Sequence, residues 1–521
     1  MLLEKVAKRF LLLGVLSLSA GLCGCGVGNK GNTDTTSNST TITCGVSNSG
    51  IAYLFFSTAD STCPDKPRTV DAGTEVKSTI FNPAWVFPAG TYDSATKTVN
   101  AIHNYAMVYA NTNGNLYKVS ALKGSSSPVP TQLSSASSAE TICSVTARAI
   151  DLANPDNSQI VYRTPGANAT CNNNDDTYKM VRLSMGASDA PITAKQPIGT
   201  AMHNWSTGAI TYWLVNDAGA LKRCDANFAN CSGNLLAVSS YASQWAIAGP
   251  NRWLLEIDHV VYVYDGDTNT LSAARHSIGG TNQFVTGSIT DGSNFYFVTS
   301  NEPRVIYKAS VAVDGSVMAA AFVTDSANPI GGFTLSTNTL LYWTSTGITR
   351  VVKSNGSATA LATGTAAGVF AVNGNHVYYN YTLGSGTPTA GSIDDDGNNK
   401  TETASASWSG VAYGTSWNLT DGFAAIYQAQ TIIRADGYSA GTGFAGAKLN
   451  SYNAASKALV AALGTVPTDI TSISCSSFGP NMLCNGFNAT PQSDIFLLNA
   501  ETVDSLVRVT NTPTKNEYPI Y

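Results

Sequence analysis

Short β-type runs carrying an aromatic residue recur along almost the whole chain, and no other feature limits its fold as strongly. They read IAYLFF at 51–56, AMVYA at 106–110, QIVYR at 159–163, ITYWL at 210–214 and RWLLEI at 252–257. FYFVT at 295–299, LLYWT at 340–344, HVYYN at 376–380, AAIYQ at 424–428 and a weaker NMLCNGF at 481–487 continue the series. Runs of this length, rich in aromatic and β-branched residues, are strands. Many lead through a glycine turn into a second β-rich run. Asn113-Gly114 joins AMVYA to LYKVSAL, Asp217-Ala218-Gly219 joins ITYWL to ALKRC, and Ser345-Thr346-Gly347 joins LLYWT to ITRVVKS. Each is a hairpin signal. No segment keeps a helical period. AASKALVAAL at 454–463 comes nearest and reads as a strand with a short helical turn.

Recurring multi-strand units in an all-β chain predict a β-propeller of four-stranded blades. The aromatic strands number nine or ten, whereas single rings usually have about four to eight blades. No linker interrupts the middle of the chain. The expectation is one large propeller domain over 44–521 with about eight blades. Its ring would be closed by pairing the orphan N-terminal strand at 51–56 with the C-terminal strand at 517–521, which removes exposed edges.

Two stretches resemble known propeller repeats. Leu341-Tyr342-Trp343-Thr344, followed by Ile348, Arg350, Val351 and Asn355-Gly356, is similar to a YWTD blade, with Ser345 in place of that family's aspartate. DIFLLNAETVDSLVRVTNTPTKNEYPIY at 494–521 resembles the TolB-type repeat, although Ala500-Glu501 departs from its usual Asp-Gly turn. Each covers one blade. The resemblance implies a fold, and such blades serve many functions.

The first 25 residues place the chain outside the cytoplasm. Lys5, Lys8 and Arg9 form a basic head, and Phe10 to Leu22 is an uncharged apolar run with the length of a signal-peptide core. The segment resembles a bacterial lipoprotein signal. That resemblance implies cleavage before an acylated cysteine: Cys25, preceded by Leu22-Cys23-Gly24, or the alternative Cys23, preceded by bulky Leu22. A plain secretory signal cleaved near Ala20 is the competing reading. Residues 26–43 are almost all Gly, Asn, Ser and Thr and cannot bury a core, so they read as a flexible tether. Gly26 after Cys25 resembles the default for sorting to a Gram-negative outer membrane, on its periplasmic or surface face.

Composition agrees with export. Charged residues make up 12% of the 521, about half the usual share of roughly 25%. The 23 tyrosines and 46 glycines fit strands and turns. Net charge is −5 and no basic run follows the signal, which disfavours nucleic acid. Eight cysteines remain after Cys25. In an exported chain they predict disulfides between sequence neighbours: Cys44–Cys63, Cys143–Cys171, Cys224–Cys231 and Cys475–Cys484. None of the eight forms a CxxC, and no histidine stands at zinc-finger spacing.

Chemistry is sparse. His103-Asn104 and His203-Asn204 each precede a central strand, where they could line a channel mouth and bind a small ligand; the ordinary reading is strand-end hydrogen bonding. Two acidic loops offer calcium oxygens, Asp394, Asp396 and Asn398 in one and Asp265 to Asn269 in the other. Neither supplies a bidentate glutamate, and both compositions suit ordinary hairpins. Calcium is the only cofactor suggested. Gly437–Gly441 matches GxSxG around Ser439, and Gly441–Gly446 matches GxGxxG. All five histidines precede Ser439, and a hairpin signal stands where each motif needs its strand-turn-helix context, so both read as one glycine-rich loop. The leading expectation is a lipid-anchored, non-catalytic binding or scaffold protein of the cell envelope, recognising protein, glycan or a small ligand. The alternative is an exported hydrolase or lyase acting on polysaccharide or peptide, using scattered carboxylates such as Asp258, Asp291 or Glu302.

Overall fold

The computed structural model describes residues 54–58, 66–69, 81–93, 98–110, 116–120, 131–133, 142–151, 153–167, 171, 175–204, 206–239, 241–248, 251–278, 283–311, 320–373, 375–382, 388–404, 416–418, 425–427, 431–436, 443–453, 458–478, 481–488, 493–508 and 516–519. The signal with Cys23 and Cys25, the tether, the Cys44–Cys63 pair and Ser439 lie outside these residues. Among the described residues there is no α-helix; one 3-10 turn spans Pro155–Asn157. The strands of the described residues form nine sheets, seven of them four-stranded, where the repeat spacing predicts about eight units. No helix of the described residues is long and apolar enough to cross a membrane.

The residues gather into two compact units. One comprises Thr193–Ser409 with Thr146–Ala149; the other comprises Ile150–Ile192, Gly410–Tyr521 and the described residues within Ala20–Val145. In the first unit the sheets follow one another in sequence, and each of the last four is a simple antiparallel meander. Their strand orders are Ala242–Ala248, Arg252–Ile257, Val260–Asp265, Thr270–Ser277; then Val285–Thr290, Asn294–Thr299, Val305–Ser310, Ala320–Thr324. Gly332–Leu335 through Ala358–Thr363 and Thr365–Asn373 through Thr401–Ala404 repeat the plan.

The packing explains why the central strands read as continuous apolar runs rather than as alternating ones. Along Arg252–Ile257, Trp253, Leu255 and Ile257 face one core with Ile198 and Leu214, while Leu254 faces another with Phe295 and Phe297. Along Asn294–Thr299, Phe295 and Phe297 join that second core, and Tyr296 and Val298 turn to a third with Leu340 and Tyr342. Leu341 then begins a fourth with Val377 and Tyr379. Successive side chains point to opposite faces of a strand. A strand covered on both faces is therefore apolar at nearly every position, and a polar exception such as Glu256 must find hydrogen-bond donors. Successive sheets stacked face to face in this way make the unit propeller-like.

The abundance of tyrosine acquires a local reason. Tyr296, Tyr307 and Tyr379 fill cores, and these rings, with Tyr241 and Tyr452, each reach a carboxylate with the hydroxyl. Tyr296 donates to Asp291 at 3.1 Å, Tyr379 to Glu402 at 2.9 Å and Tyr452 to Asp436 at 2.8 Å. Tyr307 donates to Glu302 and Tyr241 to Glu256. Burial, then these acceptors, push the phenols of Tyr241, Tyr296, Tyr307 and Tyr379 well above their ordinary range.

In the second unit, Ala106, Val108 and Leu116 pack with Ile160, Tyr162 and Val181. Ile433, Phe444 and Leu463 pack with Ile473, Met482 and Phe496. The first and last described strands meet: Leu54–Thr58 pairs antiparallel with Asn516–Pro519, with Phe56 opposite Tyr518. Asn516–Pro519 also touches Ser493–Asn499 through one parallel bridge, so both chain ends belong to one sheet.

Three disulfides join Cys143–Cys171, Cys224–Cys231 and Cys475–Cys484. Cys475–Cys484 links directly opposed residues of neighbouring strands, and Cys224 faces Cys231 across an isolated bridge. Bonds of this kind fit an oxidising, exported environment.

Candidate functional site

Two of the features singled out in the sequence, with His203 and Asp267 64 positions apart, line one pocket in the first unit. His203 and Asn204 share it with Ser206, Thr211, Tyr212, Asn251 and Asp267, around a space of about 270 Å³. Asp267 belongs to the acidic loop 265–269.

The His203 side of the pocket is shaped by a β-bulge. Met202 lies opposite Tyr212 and His203 opposite Ile210, which leaves Thr211 as the extra residue. Its hydroxyl donates back to the Met202 carbonyl at 3.1 Å. A bulge re-aims the side chains around it. The following turn is held by Asn204, whose Oδ1 accepts from the Ser206 N–H at 2.9 Å and from the Thr207 N–H at 3.3 Å. Asn204 thus has the local hydrogen-bonding role its type favours and also lines the pocket.

The opposite side depends on Gly266. The hydroxyl of Tyr212 and Nη1 of Arg223 both donate to its carbonyl, each at 2.8 Å. The Arg223 guanidinium lies 4.6 Å from the centre of the Tyr212 ring. A Cβ on Gly266 would stand 2.9 Å from the Tyr212 hydroxyl, 2.9 Å from Asn251 Cβ and 3.0 Å from Met202 Cε. Only glycine lets the loop approach this closely. Burial raises the Tyr212 phenol above its ordinary pKa, against the opposing influence of Arg223.

Charge in the pocket is balanced internally. Asp267 accepts from Asn251 Nδ2 at 2.7 Å and from Arg252 Nη1 at 3.1 Å. Arg252 also pairs with buried Asp265. Asp265 in turn accepts from the Asp267 N–H at 2.8 Å and the Thr268 hydroxyl at 2.7 Å. The loop's carboxylates therefore brace the hairpin and the guanidinium. In the second acidic loop, Asp396 accepts from the backbone and side chain of Asn398 at 2.8 and 2.9 Å, and Asp394 accepts from Asn399 at 2.6 Å. Between them Asp395 is buried and ties the loop to Ser336 at 3.1 Å and to the Asn338 N–H at 2.7 Å. Among the described residues no three His, Cys, Asp or Glu side chains gather in a way that could hold a metal ion.

His103 and Asn104 lie on Thr98–Ala110 in the second unit, opposite Ala89 and Pro88; their side chains are outside the described set. The scattered carboxylates do not line the pocket. Asp258 accepts from the N–H groups of Ser239 and Tyr241 at 2.6 and 3.1 Å. Asp291 accepts from Asn294 and Ser293 N–H at 2.8 and 3.0 Å; burial raises its carboxyl, and these bonds more than offset that, leaving it below the ordinary range. Glu302 accepts from Tyr307.

A second polar cluster went unnoticed in the sequence. Glu256 is fully buried and accepts from the Tyr241 hydroxyl, from Trp245 Nε1 at 2.8 Å and from the Val285 N–H at 3.0 Å. Tyr241 also lies 3.1 Å from His259 Nδ1, which is 2.6 Å from the Gln283 carbonyl. A carbonyl only accepts, so Nδ1 carries the proton and the Tyr241 hydroxyl donates to Glu256. Asp258 and His259 both adopt left-handed backbone angles, φ 48° and 64°, in the two-residue turn between neighbouring strands. Turns of this kind usually hold Asn-Gly or Asp-Gly; here the bonds of Asp258 and His259 offset the strain. The available signal was a lone glutamate inside the apolar run RWLLEI.

No protein-family model matches the chain, and no curated protein sequence matches it. Solved structures similar to it include the computationally designed Ika8 protein, at 11% identity over 73% of this chain and 100% of that one, with a TM-score of 0.30. PorZ of Porphyromonas gingivalis, described as an essential bacterial surface component of the type-IX secretion system, matches at 12% identity over 84% of this chain, with a TM-score of 0.26; the match spans 53% of the PorZ chain. Hsv2p of Kluyveromyces lactis matches at 8% identity over 60% of this chain and 96% of that one, with a TM-score of 0.30.

Proposed function

We propose that this chain is an exported lipoprotein whose propeller domain binds a partner or ligand in the cell envelope without catalysis. Residues 1–25 are its signal, Cys25 its acylated residue, 26–43 its tether and 44–521 one propeller domain. The sheets are the blades of a single ring, about eight from the repeat spacing and nine if every sheet counts as one. Pairing of Leu54–Thr58 with Asn516–Pro519 supports closure by the two chain ends.

One observation carries the binding reading: the pocket of His203, Asn204, Tyr212, Asn251 and Asp267 has polar walls whose charges are already balanced. Acid–base hydrolysis needs a carboxylate positioned to give or take a proton. The carboxylate in this pocket is engaged by Arg252 and Asn251. The walls suit a small neutral ligand rich in hydroxyl groups, such as a glycan unit or a polar loop of an envelope protein.

Calorimetric titration of the full chain with neutral saccharides, and pull-down from solubilised envelopes, test this reading. Binding that Asn251→Ala and His203→Ala each weaken at least tenfold is the expected result. Turnover of a test glycan that survives both substitutions, with no binding partner recovered, refutes it. Mass analysis of the N-terminal peptide tests acylation, which Cys25→Ser abolishes.

A further inference from the structure

The three disulfides of the described residues differ in how they are presented to solvent. Cys475 and Cys484 are both buried, at 1% and 0% exposure, inside a regular ladder. Cys143 and Cys171 are both half-buried. In Cys224–Cys231 one cysteine is fully buried and the other is exposed. This bond lies at the edge of its sheet. The short strand Leu236–Ala237 covers Ala220–Asp225 only at Ala220 and Leu221; farther along, the returning residues 230–232 take its place.

We propose that Cys224–Cys231 is a site of reversible thiol–disulfide exchange with an exported dithiol, Cys231 being the sulfur attacked and Cys224 the leaving group. A thiolate approaches a disulfide along the S–S axis, from the side opposite the leaving sulfur, so access decides which sulfur reacts. Cys231 is open to that approach. Attack on Cys224 would have to pass through the buried layer, where fully buried Trp213 stands opposite it in the ladder. Buried cysteines are inert, and reactive ones are partly exposed. Cys475–Cys484 has the same Cα–Cα separation, 3.9 Å, and a similar span, 9 residues against 7. Access therefore distinguishes the two bonds.

The loop between the cysteines is closed by other bonds as well. The Asp225 N–H donates to the Asn230 carbonyl at 2.9 Å and the Ser232 N–H to the Arg223 carbonyl at 2.7 Å. The Arg223 N–H donates to the Ser232 hydroxyl at 3.0 Å. The Asp225 carboxylate accepts from the N–H groups of Asn227, Ala229 and Asn230 at 3.0, 2.9 and 3.1 Å and from Asn230 Nδ2 at 2.7 Å. Buried Phe228 stacks on Trp213 at 5.7 Å and pins the loop tip. With the S–S bond open, these contacts keep the two sulfurs opposed and ready to re-form it. The exchange balances. The attacking thiolate bonds to Cys231 Sγ, the Cys224–Cys231 bond breaks, and Cys224 leaves as a thiolate that takes a proton. The second thiol of the dithiol then displaces Cys231, which is protonated in turn. The chain gains two electrons and two protons, and the dithiol becomes a disulfide.

Timed reduction of the full chain with dithiothreitol, which stands in for the exported dithiol, tests the proposal; free thiols are alkylated and located by mass. Cys224–Cys231 is expected to open at least tenfold faster than Cys475–Cys484 while the circular-dichroism spectrum stays native, and to re-form once the reductant is replaced by oxidised dithiothreitol. Brief exposure of the same chain to glutathione, quenched with acid, should place the mixed disulfide on Cys231. Opening no faster than Cys475–Cys484, or only as the native spectrum is lost, overturns the proposal. Glutathione captured on Cys224 overturns the assignment of the attacked sulfur, and a reduced pair that stays open in the folded chain overturns reversibility.

Discussion

Glu256 offers a sharp test of how this fold is held, because the donors to its carboxylate among the described residues are three neutral groups. Oε1 accepts from Tyr241, and Oε2 accepts from Trp245 Nε1 and the Val285 N–H. In Glu256→Gln the amide oxygen can serve the two N–H groups, but its NH2 must then face the Tyr241 hydroxyl. That hydroxyl cannot turn to His259 Nδ1, which carries a proton held on the Gln283 carbonyl. One half-buried hydroxyl loses its acceptor, at about 1 kcal/mol. Tyr241→Phe removes one bond to a charged acceptor, about 1.5–3 kcal/mol. With both changes the mismatched hydroxyl is gone, so the double variant should lose about 1 kcal/mol less than the sum of the singles. Glu256→Ala leaves two N–H groups unpaired and a cavity, and should cost ~4 kcal/mol or more. Urea unfolding followed by tryptophan emission measures all four variants, and Trp245 itself sits on the carboxylate. Additivity within about 0.4 kcal/mol would falsify the proton placement, since independent sites behave that way.

Other consequences are open to direct measurement. His276 packs 4.1 Å from the Tyr307 ring, and burial lowers its pKa, with Glu302 opposing. The unfolded chain therefore binds its proton first, and stability present above about pH 6.5 should decline as pH falls below that value; urea midpoints at pH 7.5 and 5.5 should converge in His276→Phe, and an unchanged difference would count against this origin. Gly266→Ala drives a methyl group into Tyr212, Asn251 and Met202, so a loss of about 1–3 kcal/mol is expected together with weaker ligand binding; full retention of both contradicts the proposed loop approach. Cys475→Ala with Cys484→Ala opens a buried cross-strand link spanning 9 residues. It should lower stability by about 2–3 kcal/mol, seen as a lower melting temperature.

Strands and hairpins were legible because their signals are local. RWLLEI coincides with the strand Arg252–Ile257, and the Asp217-Ala218-Gly219 and Ser345-Thr346-Gly347 turns join the strands expected. Cysteine pairing was legible for the same reason, since Cys224 and Cys475 bond residues only 7 and 9 positions away. The candidate site was half legible. His203 and Asn204 stood out as polar residues before an apolar strand, and Asp267 stood out in an acidic loop. Their meeting in one pocket had no sequence signal, because it depends on how two neighbouring sheets pack.

Glu256 marks the same boundary from the other side. Its place in an apolar strand shows in the sequence, but its donors come from an adjoining strand and from the next sheet. What the sequence determined by itself is the all-β character, the hairpin order and the short-range disulfides. These follow from backbone preferences and side-chain alternation over a few residues. The pairing of the first and last described strands was expected from their unpaired edges; tertiary structure alone decided that Arg252 balances the acidic loop and that His203 and Asp267 line one pocket. Those contacts depend on the stacking of whole sheets, which buries side chains from distant parts of the chain against one another.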